Sequence, residues 1–240
     1  MIKKLFERFR QHNRPAPALP AQQQTRLDFI KAKISAVSTA QLAHERIVVV
    51  DVETSGLSLS DDHLIAIGAV AIHNGRIAIA DSFEVMLRQE TSSDKSNILV
   101  HGIGGTAQRN GLLPAEALLA FLEYLDGAPL FAFHALFDET MLRKACRKFL
   151  GFEFRHAWVD LAYLLPELFP QHAKKSRSLD DWLTQFTIHN DERHNALADA
   201  MATAQLGLMV LGRAREQGLK DFKALQEMEK AQRWLGAARY

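Results

Sequence analysis

The feature that most constrains the fold is an apolar run that ends in charge: Ile47-Val48-Val49-Val50 passes directly into Asp51-Val52-Glu53. Such a run reads as a buried strand, and residues 47–53 are expected to form one. Side chains on a strand alternate faces, so Asp51 and Glu53 share one face while Val52 packs into the other. A fold built on this strand must place two carboxylates at the rim of its core. That is costly unless the charges serve a bound cation.

Two further segments bring acidic groups to core-type sequence. Leu130-Phe131-Ala132-Phe133 reads as a short buried strand, followed by a helix from about Leu136 to Phe149 whose opening turn holds Asp138. A carboxylate is favoured there by the helix dipole. Farther on, His194-Asn195-Ala196-Leu197-Ala198-Asp199 leads into a helix over roughly 195–212. Its small residues Ala196, Ala198, Ala200 and Ala202 would let it lie close to a sheet and bring Asp199 to the strand end. His194, five residues earlier, would lean over the cluster without being a main ligand.

Two like charges 4 Å apart at an effective dielectric of 20 repel by about 4 kcal/mol. Asp51, Glu53, Asp138 and Asp199 converging without counterions would strain the fold or take up protons. Hard divalent ions remove that penalty, and an all-carboxylate set suits Mg²⁺ or Mn²⁺ better than zinc. Two such ions roughly 3.5–4 Å apart stabilise both the attacking and the departing oxygen of a displacement at phosphorus. A histidine is the natural base for the attacking water near neutral pH. Asp-x-Glu alone is a weak pattern; the three segments together carry the reading. Asp160, before Leu161-Ala162-Tyr163, reads only as a helix cap.

The rest of the chain supplies the frame. Strands are expected over about 63–73 and 76–87, joined by His73-Asn74-Gly75-Arg76, a strong hairpin signal. Helices are expected from Pro114 to about Asp126 and over roughly 160–168, 178–186 and 217–235. A meander followed by alternating strands and helices gives an α/β protein, a mixed sheet covered by helices. Sites in such sheets gather beyond strand ends.

Composition bounds the function classes. With 240 residues, 48% hydrophobic and 24% charged, the chain is expected to be soluble and globular. A formal net charge of +1 gives no global pull towards nucleic acid, so a nuclease reading rests on local features. Cys146 is the lone cysteine, which excludes an internal disulfide framework and suits a reducing cytoplasm; it reads as a packing residue. No apolar run reaches membrane-spanning length, and Met1-Ile2-Lys3-Lys4-Leu5 has charges where a signal peptide would be apolar.

These motifs resemble the DnaQ-like 3′→5′ exonucleases of the DEDDh type. Asp51-Val52-Glu53-Thr54-Ser55-Gly56-Leu57 is similar to the family's first motif, Phe137-Asp138 to its second and His194 through Ala200 to its third. Val100-His101-Gly102-Ile103 and Leu179-Asp180-Asp181-Trp182-Leu183 are similar to intervening segments, and the resemblance spans about 46–212. It implies an RNase H-like mixed five-stranded sheet flanked by helices, and removal of single nucleotides from a 3′ end. Asp51, Glu53, Asp138 and Asp199 would hold two Mg²⁺ ions, with Mn²⁺ as a substitute, and His194 would be the general base. The backbone near Thr54, the wedge-like Leu57 and His101 would meet the terminal nucleotide. Where many members carry His-Asn, this chain has Phe133-His134, so His134 either replaces the amide as a substrate contact or packs.

The expected domains are an N-terminal extension over 1–45, an exonuclease domain over 46–212 and a C-terminal helix over 213–240. The extension holds a stiff, extended linker from Pro15 to Ala21 and the three glutamines that follow, Gln22 to Gln24, and an amphipathic helix over about 25–43. Gln24-Thr25-Arg26-Leu27-Asp28-Phe29 resembles peptides that dock into bacterial sliding clamps, although Leu27 and Phe29 would equally pack on the enzyme. Lys174, Lys175 and Arg177 would face a phosphate backbone or simply solvent.

The expected activity is a cytoplasmic, metal-dependent 3′→5′ exonuclease on single-stranded or frayed DNA, in repair or proofreading and in contact with a polymerase subunit. Its rivals are an RNA-trimming exoribonuclease of the same family, a non-catalytic subunit that binds nucleic acid or a polymerase, and an RNase H-type endonuclease.

Overall fold

The structure, a computed structural model, describes residues 18–34, 46–91, 93–94, 97–99 and 102–237. The first element is α1 (Ala21–Ile34), followed by strands β1 (Ile47–Thr54), β2 (Leu64–His73) and β3 (Arg76–Met86). Then come α2 (Gly105–Asn110), α3 (Pro114–Leu125), β4 (Leu130–Ala132), α4 (Leu136–Leu150) and β5 (Trp158–Asp160). The chain closes with α5 (Leu161–Leu168), α6 (Leu179–Gln185), α7 (Ala196–Glu216) and α8 (Phe222–Ala237). Residues 1–17 and the part of the expected 25–43 helix beyond Ile34 lie outside the described residues. Gln22 to Gln24, expected as linker, belong instead to the first turns of α1, whose helical hydrogen bonds begin at Pro20.

Five strands form one sheet in the order β3-β2-β1-β4-β5. β1, β2 and β3 pair antiparallel, while β4 and β5 extend the sheet parallel to β1. This is the expected mixed sheet of the RNase H-like fold. The Asn74-Gly75 turn has φ of 50° and 69°, the left-handed pair that a two-residue hairpin matched to strand twist requires. β5 is a three-residue strand that the sequence pattern did not locate, because it is too short to display a period.

Strand alternation sorts the core into two layers. Val48, Val50 and Val52 face a cluster with α1, α3 and α4, which includes Leu27, Phe121 and Leu142. Ile47 and Val49 face the other, built with α5, α6, α7 and α8. Asp51 and Glu53 continue this second face, beneath α7. Both terminal segments are integrated: Leu27 and Ile30 of α1 are buried, and Phe222 of α8 stacks on Phe131 at 5.7 Å. No helix among the described residues is long and apolar enough to cross a membrane.

Candidate active site

The approach of α7 to the sheet depends on Gly68, which pairs with Asp51 across β1 and β2. A Cβ at Gly68 would lie 2.2 Å from the carbonyl carbon of Ala196 and the nitrogen of Leu197, so only glycine admits this helix start. Ala196, Ala200 and Ala202 are buried along α7, the close packing expected of small residues, whereas Ala198 is only half-buried. Asn195 caps the helix by accepting the N–H of Ala198 at 2.9 Å. Asp199, in the first turn, accepts the backbone N–H of His194 at 3.1 Å and the side-chain amide of Asn190 at 2.5 Å. These bonds aim it at β1, where oxygens of Asp51, Glu53 and Asp199 lie within 4.8 Å of one another.

Asp138 reaches the same end of the sheet by another route. β4 pairs with β1 only at Val48 and Val49, so β1 runs on beyond it. There the buried Asp138 carboxylate, in the first turn of α4, accepts the backbone N–H of Val52 and its own. Its charge acts on Asp51, although its oxygens fall outside the group formed by the other three.

The electrostatics are those of an unbalanced cluster. Burial, then the charges of Asp138, Asp199 and Glu53, hold the Asp51 carboxyl well above the usual carboxylate range. Burial first, then Asp199, pushes Glu53 up to about 8. Arg193 opposes both shifts; its guanidinium pairs with Asp199 and, at 2.5 Å, with Asp180. One guanidinium against four carboxylates leaves an excess of buried negative charge with oxygen donors only. That donor set fits hard divalent cations. Arg193 and Asn190 escaped the sequence reading, although Arg193 stands directly before the singled-out His194.

The other expected site residues take varied positions. His194 is exposed, with a left-handed φ of 64°, and borders a cavity of about 430 Å³ lined by Met86, Leu99, Ile103 and Ala107. Thr54 is buried and donates its hydroxyl to the carbonyl of Gly56 at 2.7 Å, at the base of the loop that carries Leu57. Leu57 is 87% exposed, so its side chain is free for a ligand. His134 is exposed at the end of β4, with its ring edge-on to Phe133 at 4.7 Å between centroids. Val100 and His101 lie outside the described residues.

Asp160 does cap α5, accepting the N–H of Ala162 at 3.0 Å, but it is also buried and bonded to His134 and Arg233. The Gln24–Phe29 peptide is helical, with Leu27 in the core, Phe29 63% exposed and Gln24 bonded to Asp28.

Residues 48–206 match the RNase_T family model, described as exonuclease. The chain belongs to this exonuclease family. The family was legible in the three carboxylate motifs, and its match spans all of them. The chain is 31% identical over 195 residues to the DNA polymerase III PolC-type of Caldanaerobacter subterraneus, covering 81% of this chain and 14% of that protein. It is 29% identical over 186 residues to the DNA polymerase III subunit epsilon of Salmonella typhimurium, covering 70% of this chain and 72% of that subunit. The chain thus spans about one seventh of the PolC-type relative. Among solved structures, the nuclease domain of 3′hExo, a DEDDh family member bound to rAMP, superposes with a TM-score of 0.61 at 16% identity. That match covers 70% of this chain and 92% of the domain, and it shows the shared fold.

Proposed function

We propose that this member of the exonuclease family is a Mg²⁺-dependent 3′→5′ exonuclease, releasing single nucleotides from single-stranded or frayed DNA ends, and that residues 46–212 form its catalytic domain. One observation carries the reading: carboxylates from separated segments, Asp51, Glu53 and Asp199, converge within 4.8 Å at one end of the sheet. Asp138 adjoins Asp51 there, and His194 stands beside Asp199.

In this reading Asp51, Glu53, Asp138 and Asp199 hold two Mg²⁺ ions. When bound, the ions offset negative charge on the phosphate and lower the pKa of water. His194 accepts the proton that water loses as its oxygen bonds to phosphorus; the P–O3′ bond breaks, and the departing O3′ of the shortened strand takes up a proton from solvent. The exposure of His194, beside a cavity of about 430 Å³, gives the imidazole the access this role needs. Leu57 lies against the terminal base, and the backbone near Thr54 positions the terminal nucleotide. His101 and His134 complete the contacts with the strand end.

Association with a replicative polymerase in the cytoplasm belongs to the same proposal, supported by the names of the PolC-type and epsilon relatives. Clamp docking through Gln24–Phe29 would require Leu27, 1% exposed, to leave the core. A clamp pull-down with Gln24→Ala and Leu27→Ala together tests that part; unchanged retention rejects it.

The central test is digestion of matched 3′-labelled DNA and RNA oligonucleotides with Mg²⁺, resolved to single nucleotides. The expected result is stepwise shortening of DNA from the 3′ end, abolished in Asp51→Asn. Faster shortening of RNA would reassign the substrate, and full activity in Asp51→Asn would remove the assignment.

A further inference from the structure

The C-terminal helix α8 lies beyond the residues matched to the family, 48–206, yet it ends in a polar network aimed at the second motif. At its base Phe222 and Leu225 are buried in the core, and Gln226 donates to the carbonyl of Trp158 at 3.1 Å. One turn on, Glu229 accepts the backbone N–H of Asp160 at 3.0 Å. Arg233 donates to Glu229 at 2.7 Å and to the carboxylate of Asp160 at 3.3 Å, with its guanidinium 4.7 Å from the ring centre of Tyr163. Asp160 in turn accepts the backbone N–H of His134 at 2.9 Å.

His134 is where that network meets the chemistry. Its φ of 61° is a left-handed conformation that a histidine adopts only at some cost, so the turn needs an external hold. The turn joins β4 to α4: the carbonyl of His134 accepts the N–H of Phe137 at 3.0 Å, and Asp138 follows in the first helical turn. The path from α8 to Asp138 is therefore Arg233 to Asp160, Asp160 to the His134 backbone, and that backbone to the start of α4. Every link is a hydrogen bond or one short stretch of chain.

We propose that Arg233 and Glu229 are positioning residues for the active site, holding the Asp160 carboxylate so that it locks the His134 turn and presents Asp138 for metal binding. The inference rests on the exonuclease reading, because it assigns Asp138 to the cation site. Neither α8 residue touches the ions or the substrate. Their part is like that of the partners behind metal ligands elsewhere, whose loss weakens metal binding or activity by about 10–100-fold.

The test uses the full chain with Arg233→Gln, Arg233→Lys and Glu229→Gln. Mn²⁺ alone is titrated calorimetrically well below the melting temperature, beside melting in chelator and exonuclease time courses. Arg233→Gln is expected to weaken Mn²⁺ binding about 10-fold and to lower kcat with little change in KM, with Arg233→Lys restoring part of both. A brace serving stability alone would lower the melting temperature and leave Mn²⁺ affinity at the parental value in all three variants; that result overturns the proposal. Should Arg233→Gln fail to fold, Glu229→Gln decides by the same readout. A parent chain that neither binds Mn²⁺ nor shortens 3′-labelled DNA overturns the exonuclease reading and the brace together. An active parent with indifferent variants overturns the brace alone.

Discussion

At the end of β5 every oxygen of two buried carboxylates has a donor, whereas at the end of β1 the half-buried Asp51 and the buried Glu53 have none among the described residues. Asp160 is held by the N–H groups of His134 and Ala162 and by Arg233; Glu229 is held by Arg233 and the N–H of Asp160. Burial lifts the pKa of Asp160 and of Glu229, and those donors pull both back. Asp51 and Glu53 feel burial first and then the charges of Asp138 and Asp199, with Arg193 as the opposing charge. The two strands run parallel in one sheet with β4 between them, so strand direction is not what separates the clusters. A buried charge completed by the protein reads as architecture, and one left incomplete reads as a place for something the chain does not supply.

His194→Ala is expected to lower turnover by about 10²–10⁴-fold, the range for a lost general base, with Mn²⁺ affinity nearly unchanged. Single-turnover rates and calorimetry check both halves. Parental turnover in this variant would mean that the incomplete cluster does not work with the histidine beside it.

Stability offers a test with opposite signs. With chelator present, Glu53, pushed up to about 8 from 4.5, keeps a proton that the unfolded chain has released. The folded state therefore binds more protons across this window, and stability falls as pH rises from about 4.5 to about 8. Glu53→Gln should reduce that dependence, leaving the part due to the raised Asp51 and Asp138, and stabilise the metal-free protein at pH 8 by about 1–3 kcal/mol. Glu229→Gln should do the reverse, costing about 1–2 kcal/mol through its charged hydrogen bonds. Melting curves in chelator from pH 5 to 8 read out both. Saturating Mn²⁺ should reverse the Glu53 slope, because the ion requires the ionised carboxylate. Two variants shifting in the same direction would erase the distinction between the clusters.

Gly68→Ala tests whether the close approach of α7 to β2 is what places Asp199. The added methyl meets backbone atoms at 2.2 Å, which α7 can relieve only by moving off β2. The expected cost is about 1–3 kcal/mol in urea unfolding, with weaker Mn²⁺ binding because Asp199 moves with the helix. Unchanged metal affinity would show that Asp199 does not depend on this close approach.

The sequence made some of this legible and hid the rest for physical reasons. Asp51, Glu53 and Asp199 could be placed together because strand alternation and a small-residue helix start are local signals. The Asn74-Gly75 hairpin and the Pro114 helix start were visible for the same reason. β5 and the six-residue α2 were not, since three and six residues carry no measurable period. Asp160 displayed only its capping role, because its other partners, Glu229 and Arg233, are 69 and 73 residues away in sequence. The C-terminal helix was expected over 217–235 but starts at Phe222, because α7 continues to Glu216 and Gly218, at a φ of 80°, breaks the path.

The smallest expected effect concerns a third charge, Lys144, which the chain completes with carbonyl groups alone. Its ammonium, on α4, donates to the carbonyls of Leu59 at 3.2 Å, Ser60 at 2.8 Å and Asp62 at 2.6 Å. Asp62 then accepts the hydroxyl of Ser55 at 2.7 Å and the N–H of Ser58 at 2.8 Å. Leu57 thus rides on a loop tied to the helix that carries Asp138, and the wedge and the carboxylate share one support. Lys144→Met keeps the aliphatic stem and removes the tie. KM for single-stranded DNA should rise about 3–10-fold, roughly 1 kcal/mol, while kcat holds, because looser placement of Leu57 weakens binding without touching the carboxylates. A fall in kcat with KM unchanged would instead tie Lys144 to Asp138. The comparison between complete and incomplete charges would then have to include the whole of α4.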